Sequence, residues 1–125
     1  AGTAAVKAFE LEAARTGIID EDAAREAGFD PVSVTISAPS RAHYYPGAEP
    51  IHITLVGDRD SKRVLGAAMV GHEGVSKRID TVAAALHTES TVGEVEYFDL
   101  SYAPPFSPTW DPVLTAAKVL NGKLD

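Results

Sequence analysis

Four prolines between Ala103 and Pro112 bound what this chain can fold into more tightly than any other feature. Each lacks a backbone donor and restricts the residue before it, so Ala103-Pro104-Pro105-Phe106-Ser107-Pro108 cannot be helix interior. Whatever helices form late in the chain must stop before this strip and restart after it. The restart is written at Asp111, a capping residue, followed by Pro112, which suits the first helical position. Val113, Ala116, Ala117 and Leu120 then share one apolar stripe, and Asn121-Gly122 is expected to end that helix.

Upstream the punctuation is equally local. Asp20 to Gly28 reads as a short helix with an Asp cap, acids in the first turn and Gly just past the end. Val32, Val34 and Ile36 alternate with Ser33, Thr35 and Ser37, the period of a strand with one buried face. Pro39 to Pro50 breaks both periodicities and predicts a loop. Ile51, Ile53 and Leu55 resume the alternation, Asp58 to Arg63 makes a charged turn, and Val64 to Val70 returns as a hairpin partner. Ser76 is placed to cap a helix carrying Ile79, Val82, Ala83 and Leu86 on one side. Thr91 and Glu94 have the spacing of a capping box for a second short helix running to about Tyr97. By propensity the Ala- and Glu-rich stretch from Ala4 to Arg15 is expected to be helix. Strands, then helices, then an extended strip imply an α+β domain: an antiparallel β-sheet covered by helices on one face. With 125 residues, 45% of them apolar, a single domain over 1–125 is expected.

Composition excludes several functions. Eleven basic against eighteen acidic residues give a net charge of −7, the wrong sign for neutralising nucleic-acid phosphates. No apolar run approaches the roughly 20 residues of a membrane span, and no secretory signal opens the chain, so a cytoplasmic location without membrane partners is expected. There is no cysteine, hence no disulfide framework, thiolate metal cage or internal cysteine redox step. Any thiol chemistry must take its sulfur from another domain, subunit or substrate. Gly66, Gly71 and Gly74 lack dinucleotide-fingerprint spacing, and Gly122-Lys123-Leu124 lacks the rest of a phosphate loop. His43, His52, His72 and His87 have no ligand spacing. Ser107, His87 and Asp80 form a hydrolytic triad only on paper, because nothing marks Ser107 as a strained nucleophile.

The proline strip also holds Tyr102, Phe106 and Trp110. Two readings stand side by side: a connector whose aromatics cover the edge of the core, or a stiff segment presenting aromatic anchors to another surface.

The run Ser101-Tyr102-Ala103-Pro104-Pro105-Phe106-Ser107-Pro108 with Trp110-Asp111-Pro112 resembles the tail of the dimerisation domain in coenzyme A disulfide reductases and related NADH oxidases. Ala14-Arg15-Thr16-Gly17, Tyr44-Tyr45-Pro46-Gly47-Ala48 and Val70 to Asp80 resemble the same domain in the same order. The match covers essentially the whole chain and points to the C-terminal domain of a pyridine nucleotide-disulfide oxidoreductase.

That resemblance implies a homodimer in which FAD- and NAD(P)H-binding domains of the same protein carry the cofactors and this chain alone binds none. It implies that Tyr102, with Tyr44 or Tyr45, reaches the partner subunit's active site, and that Phe106 and Trp110 lie in the dimer interface. It also replaces the helix expected near the N-terminus by a strand around Ala5 to Phe9. His87, followed by Thr88-Glu89, sits where the wider superfamily keeps a catalytic His-Glu pair, but the tyrosine-bearing tail makes it structural here. The alternative is a stand-alone interaction module with this fold and no redox role. Two phenols in proline-rich loops favour the first reading.

Overall fold

The computed structural model describes residues 3–8, 11–39, 50–71, 75–97 and 112–124. In chain order these form β1 (Thr3–Ala8), β2 (Leu11–Gly17), α1 (Glu21–Glu26), β3 (Pro31–Pro39), β4 (Pro50–Asp58), β5 (Val64–Gly71), α2 (Val75–His87), α3 (Val92–Glu96) and α4 (Pro112–Leu124). The strands make one antiparallel sheet in the order β1-β2-β5-β4-β3. The α+β architecture is therefore as the patterning and the resemblance both implied.

Alternation sets the buried face. Ile51, Ile53 and Leu55 of β4, Ala67 and Met69 of β5, Ala14 of β2 and Val34 of β3 lie in one cluster with Val75, Ile79, Val82 and Ala85 of α2 and Val113, Ala116, Ala117, Leu120 and Leu124 of α4. Val92 and Val95 of α3 join the same core, and α3 starts with the expected capping box between Thr91 and Glu94. On the opposite face α1 covers one corner, packing Ala24 on Val56 and Leu65. Asp20 caps α1 through the Asp22 N–H. Gly28, at φ 95°, closes α1 as the Gly28 and Phe29 N–H groups donate to the Arg25 and Ala24 carbonyls, the paired bonds of a left-handed helix stop.

Three local expectations are corrected. The helix that propensity alone expects over Ala4 to Arg15 does not form, and a strand stands at its start as the resemblance implied: β1 pairs with β2 from Thr3↔Thr16 to Ala8↔Leu11, and β2 pairs with β5. The helix preference of Ala over other residues is a few tenths of a kcal/mol per position, less than the ladder and the burial of Ala14 and Thr16 supply. The last helix does not stop at Asn121-Gly122 but runs to Leu124, because Leu124 is buried and the Lys62 Nζ donates to its carbonyl at 2.6 Å. Finally, α2 begins at Val75, so Ser76 lies inside its first turn; the Val75 N–H donates instead to Glu12 Oε1 of β2 at 3.2 Å.

Candidate functional site

The candidate tyrosines Tyr44, Tyr45 and Tyr102, and the interface candidates Phe106 and Trp110, lie outside the described residues, as do His43 and His72. The fold nevertheless shows where their segments attach. Pro39 and Pro50, on either side of 40–49, are register partners at one end of the sheet. At that same end Ile51 pairs with Gly71 and Gly71 with Glu12, while Ala8 pairs with Leu11. The β1–β2 and β3–β4 connections and the start of α2 therefore share one end.

The helices confirm the polarity. The C-terminus of α4 is held at the opposite end, where Lys62 of the β4–β5 turn takes the Leu124 carbonyl and Leu120 lies against Gly57. Thirteen residues rise about 18 Å along α4, so its first residue, Pro112, lies back toward Pro39 and Pro50. Residues 98–111, which carry Tyr102, leave the described fold at Tyr97, next to Glu96 whose carboxylate accepts from the Asn121 amide at the Lys62 end, and re-enter it at Pro112, at the end from which 40–49 departs. Both α2 and α4 direct their N-termini, the positive ends of their dipoles, that way. His87 is the last residue of α2, about 18 Å from Val75. It is exposed beside a pocket of about 230 Å³ with Thr3, Thr16, Ala83 and Leu86, at the end opposite the attachment of 40–49. His52 is exposed on β4, as alternation with Ile51 and Ile53 requires.

The far end is a rigid anchor. Asp58 is 3% exposed and accepts from the Asp30 N–H at 2.9 Å, the Ser61 N–H at 3.1 Å and the Ser61 hydroxyl at 2.7 Å, with the Asp60 N–H more distant at 3.4 Å. Burial alone would raise its carboxyl pKa, but these bonds to the charged form outweigh burial and hold it below the ordinary value. Lys62, at φ 67°, completes the turn. The charged stretch reads as a turn in the sequence, but that Asp58 is its hub, joining it to the α1–β3 connection, does not.

Sequence reasoning also passed over Arg78, 1% exposed in α2. A signal was present: Arg78 follows Val75 by three and precedes Val82 by four, which puts it on the core side of the helix. Being permanently charged, a guanidinium so placed needs acceptors around it. It lies one turn from the start of α2, near the end where residues 40–49 attach.

The glycines of β5 do not fit a dinucleotide cradle. A Cβ on Gly66 would sit 2.3 Å from the Ile18 carbonyl oxygen, and one on Gly71 would sit 3.0 Å from Ile51 Cγ1. Their smallness serves packing within the sheet. Among the described residues, no helix is long and apolar enough to cross a membrane.

Residues 3–112 match the family model described as "Pyridine nucleotide-disulphide oxidoreductase, dimerisation domain". The chain is 41% identical over 119 residues, 95% of its length, to the NAD(P)H coenzyme A polysulfide/persulfide reductase of Pyrococcus horikoshii, and covers 26% of that protein. Among solved structures, the NAD-dependent persulfide reductase of A. fulgidus aligns with a TM-score of 0.91 and 44% identity over 97% of this chain and 22% of its own. The reduced Bacillus anthracis CoADR-RHD aligns with a TM-score of 0.93 and 36% identity over 99% and 22%. The chain thus spans about a quarter of the length of the relatives it matches.

Proposed function

We propose a function from one premise: this chain belongs to the pyridine nucleotide-disulphide oxidoreductase dimerisation domain family, and within it is similar to the coenzyme A disulfide and persulfide reductases. It pairs two subunits of a cytoplasmic homodimer and completes the partner's active site with tyrosines. FAD and NAD(P)H belong to other domains of the parent, which supply the electrons; the close packing of Gly66 and Gly71 against Ile18 and Ile51, which serves the sheet, supports that reading.

One observation carries the reading. Three strand-end connections and the start of α4 share one end of the sheet: the segment with Tyr44 and Tyr45 leaves and returns there, and the segment with Tyr102, which leaves at Tyr97, returns there at Pro112. Tyr97 at the end of α3 and Val119 on α4 remain exposed, which suits a pairing surface on the helix side. The chemistry asked of the tyrosines is modest. Cleaving a disulfide leaves a thiolate, and a phenol with an unperturbed pKa near 10 stays protonated at neutral pH and donates a hydrogen bond from its Oη to that sulfur.

The test is Tyr102→Phe in the parent-length enzyme, together with a Tyr44→Phe, Tyr45→Phe double variant. Each keeps the rings and removes the hydroxyls. Turnover with a disulfide substrate is expected to fall roughly ten- to a thousandfold with the dimer intact. Unchanged turnover in both variants reduces the tyrosines to packing residues, and a monomeric parent defeats the pairing role.

A further inference from the structure

Where β2 stops and β5 starts, the end of the sheet holds a depression of about 450 Å³, within the size range of small-molecule pockets. Ile18, Phe29, Leu65 and Leu86 form its apolar wall, and Arg63 is the one charged residue that lines it. Gly17, at φ 70°, keeps the space open, because a Cβ there would come within 2.8 Å of Leu86 Cδ1. The Arg63 backbone is fixed from two sides: its carbonyl accepts from the Asp58 N–H at 2.9 Å, and the residue pairs with Thr91 in an isolated antiparallel bridge. Its side chain is held far less well. Nε is enclosed and has no hydrogen-bond partner among the described residues. One Nη meets Glu89 Oε1 only at 3.7 Å, well beyond the about 2.7–2.9 Å of a charge-assisted bond. Glu89 itself stands at φ 55°, the left-handed position that closes α2 and that glycine fills most readily. The fold thus keeps an anion beside Arg63 without satisfying it.

We infer that this pocket takes a small amphipathic monocarboxylate, a short- to medium-chain alkanoate whose head replaces Glu89 on the Arg63 guanidinium and whose tail lies among Ile18, Phe29 and Leu86. Letting go of Glu89 frees the guanidinium to turn Nε and one Nη together toward the pocket. An enclosed donor without an acceptor costs its desolvation, and a carboxylate meets a guanidinium with two parallel bonds. The present pair gives way cheaply, because ion pairs this exposed contribute little. Charge count selects a monoanion. A phosphate dianion calls for a second cation, but neighbouring Lys62 is engaged with the Leu124 carbonyl and the chain as a whole carries −7. A wholly apolar ligand would leave Nε unsatisfied, and a bare anion would leave the apolar wall wet. The pocket lies at the Lys62 end of the sheet, opposite the attachment of 40–49, and does not depend on the tyrosines.

The test titrates sodium hexanoate into the 125-residue chain and follows backbone amide signals by NMR. Saturable shifts with millimolar affinity are expected at Ile18, Phe29 and Leu65. Affinity should rise about two- to fourfold per methylene from butyrate to octanoate. Hexanol, with the same tail and no charge, should bind at least about tenfold more weakly. Arg63→Gln should weaken hexanoate binding about tenfold or more, with Arg63→Lys in between because it keeps the charge and loses the fork. Glu89→Gln removes the competing carboxylate and should strengthen binding about two- to fivefold. That variant leaves Arg63 in place, so the test stays decisive where Arg63→Gln fails to fold. Affinity indifferent to Glu89→Gln, or no dependence on tail length, overturns the inference. So does hexanol binding as tightly as hexanoate, which makes the pocket merely apolar, or inorganic phosphate competing as strongly, which makes Arg63 a bare anion site.

Discussion

The helix-covered face of the sheet and the β1–β2–β5 part of its other face are made of similar residues and come to opposite ends. On the helix side Ile51, Ile53, Leu55 and Met69 are at most 1% exposed, locked between strands and the stripes of α2 and α4. On the other side Val6 and Val70 stand on the same strands or their neighbours and remain largely in contact with solvent. Apolar character by itself therefore does not define a core. What defines it is a second layer with a matching stripe, and the helices supply that for one face only.

That contrast can be broken most forcefully from the covered side. Leu55→Ala should cost about 2–5 kcal/mol, the range for a fully enclosed leucine whose cavity cannot collapse, measured by urea denaturation. A loss under 1 kcal/mol would mean that the helix layer is looser than its burial suggests.

Asp58 stands at the seam, tying the β4–β5 turn to Asp30 on the α1 side. Asp58→Ala leaves the part-buried donors of Asp30 and Ser61 without their acceptor and should cost about 1 kcal/mol at neutral pH. The pH dependence has a definite sign. Because the folded carboxyl titrates below its ordinary 3.8, its contribution is complete above the unfolded value and is lost as pH falls through the folded one. The stability gap between wild type and Asp58→Ala should therefore be constant from neutral pH to about 5 and narrow below about 4. A gap independent of pH would show that the charge on Asp58 adds nothing.

Smaller effects sharpen the same comparison. Thr91→Ala removes the cap that accepts from the Glu94 N–H at 3.1 Å, and with it part of the support for Val92 and Val95; about 1 kcal/mol is expected by thermal or urea unfolding. At the other extreme, Val6→Thr on the open face should change the stability of this chain by less than about 0.5 kcal/mol. A loss comparable to that of Leu55→Ala would erase the distinction between the faces.

How much of this was legible in the sequence depends on whether the signal was local. The Asp20 cap and Gly28 stop of α1, the Thr91-Glu94 capping box, the Pro112 start of α4 and the alternation of β3 and β4 involve residues within a few positions of one another, so the chain itself states them. Val75, Arg78 and Val82 show the same legibility unused: helical spacing places Arg78 inward, but its charge argued for the surface.

The remainder required partners distant in the chain. An alanine-rich stretch became β1 and β2 because β5, some fifty residues later, supplies the ladder that overrides its helix preference. Asn121-Gly122 failed to stop α4 because Leu124 gains a place in the core and Lys62, 62 residues earlier, takes its carbonyl. Sequence alone determined the fold class, the caps of α1 and α3, the missing cysteine that moves thiol chemistry elsewhere, and the tyrosine motifs that carry the family resemblance. Only the tertiary structure decided that the segment bearing Tyr44 and Tyr45 attaches at the end of the sheet where α4 begins, that His87 lies at the other, and that half of the open face is left apolar. Those outcomes follow from strand order and helix direction, which arise from pairings between residues that no local pattern relates.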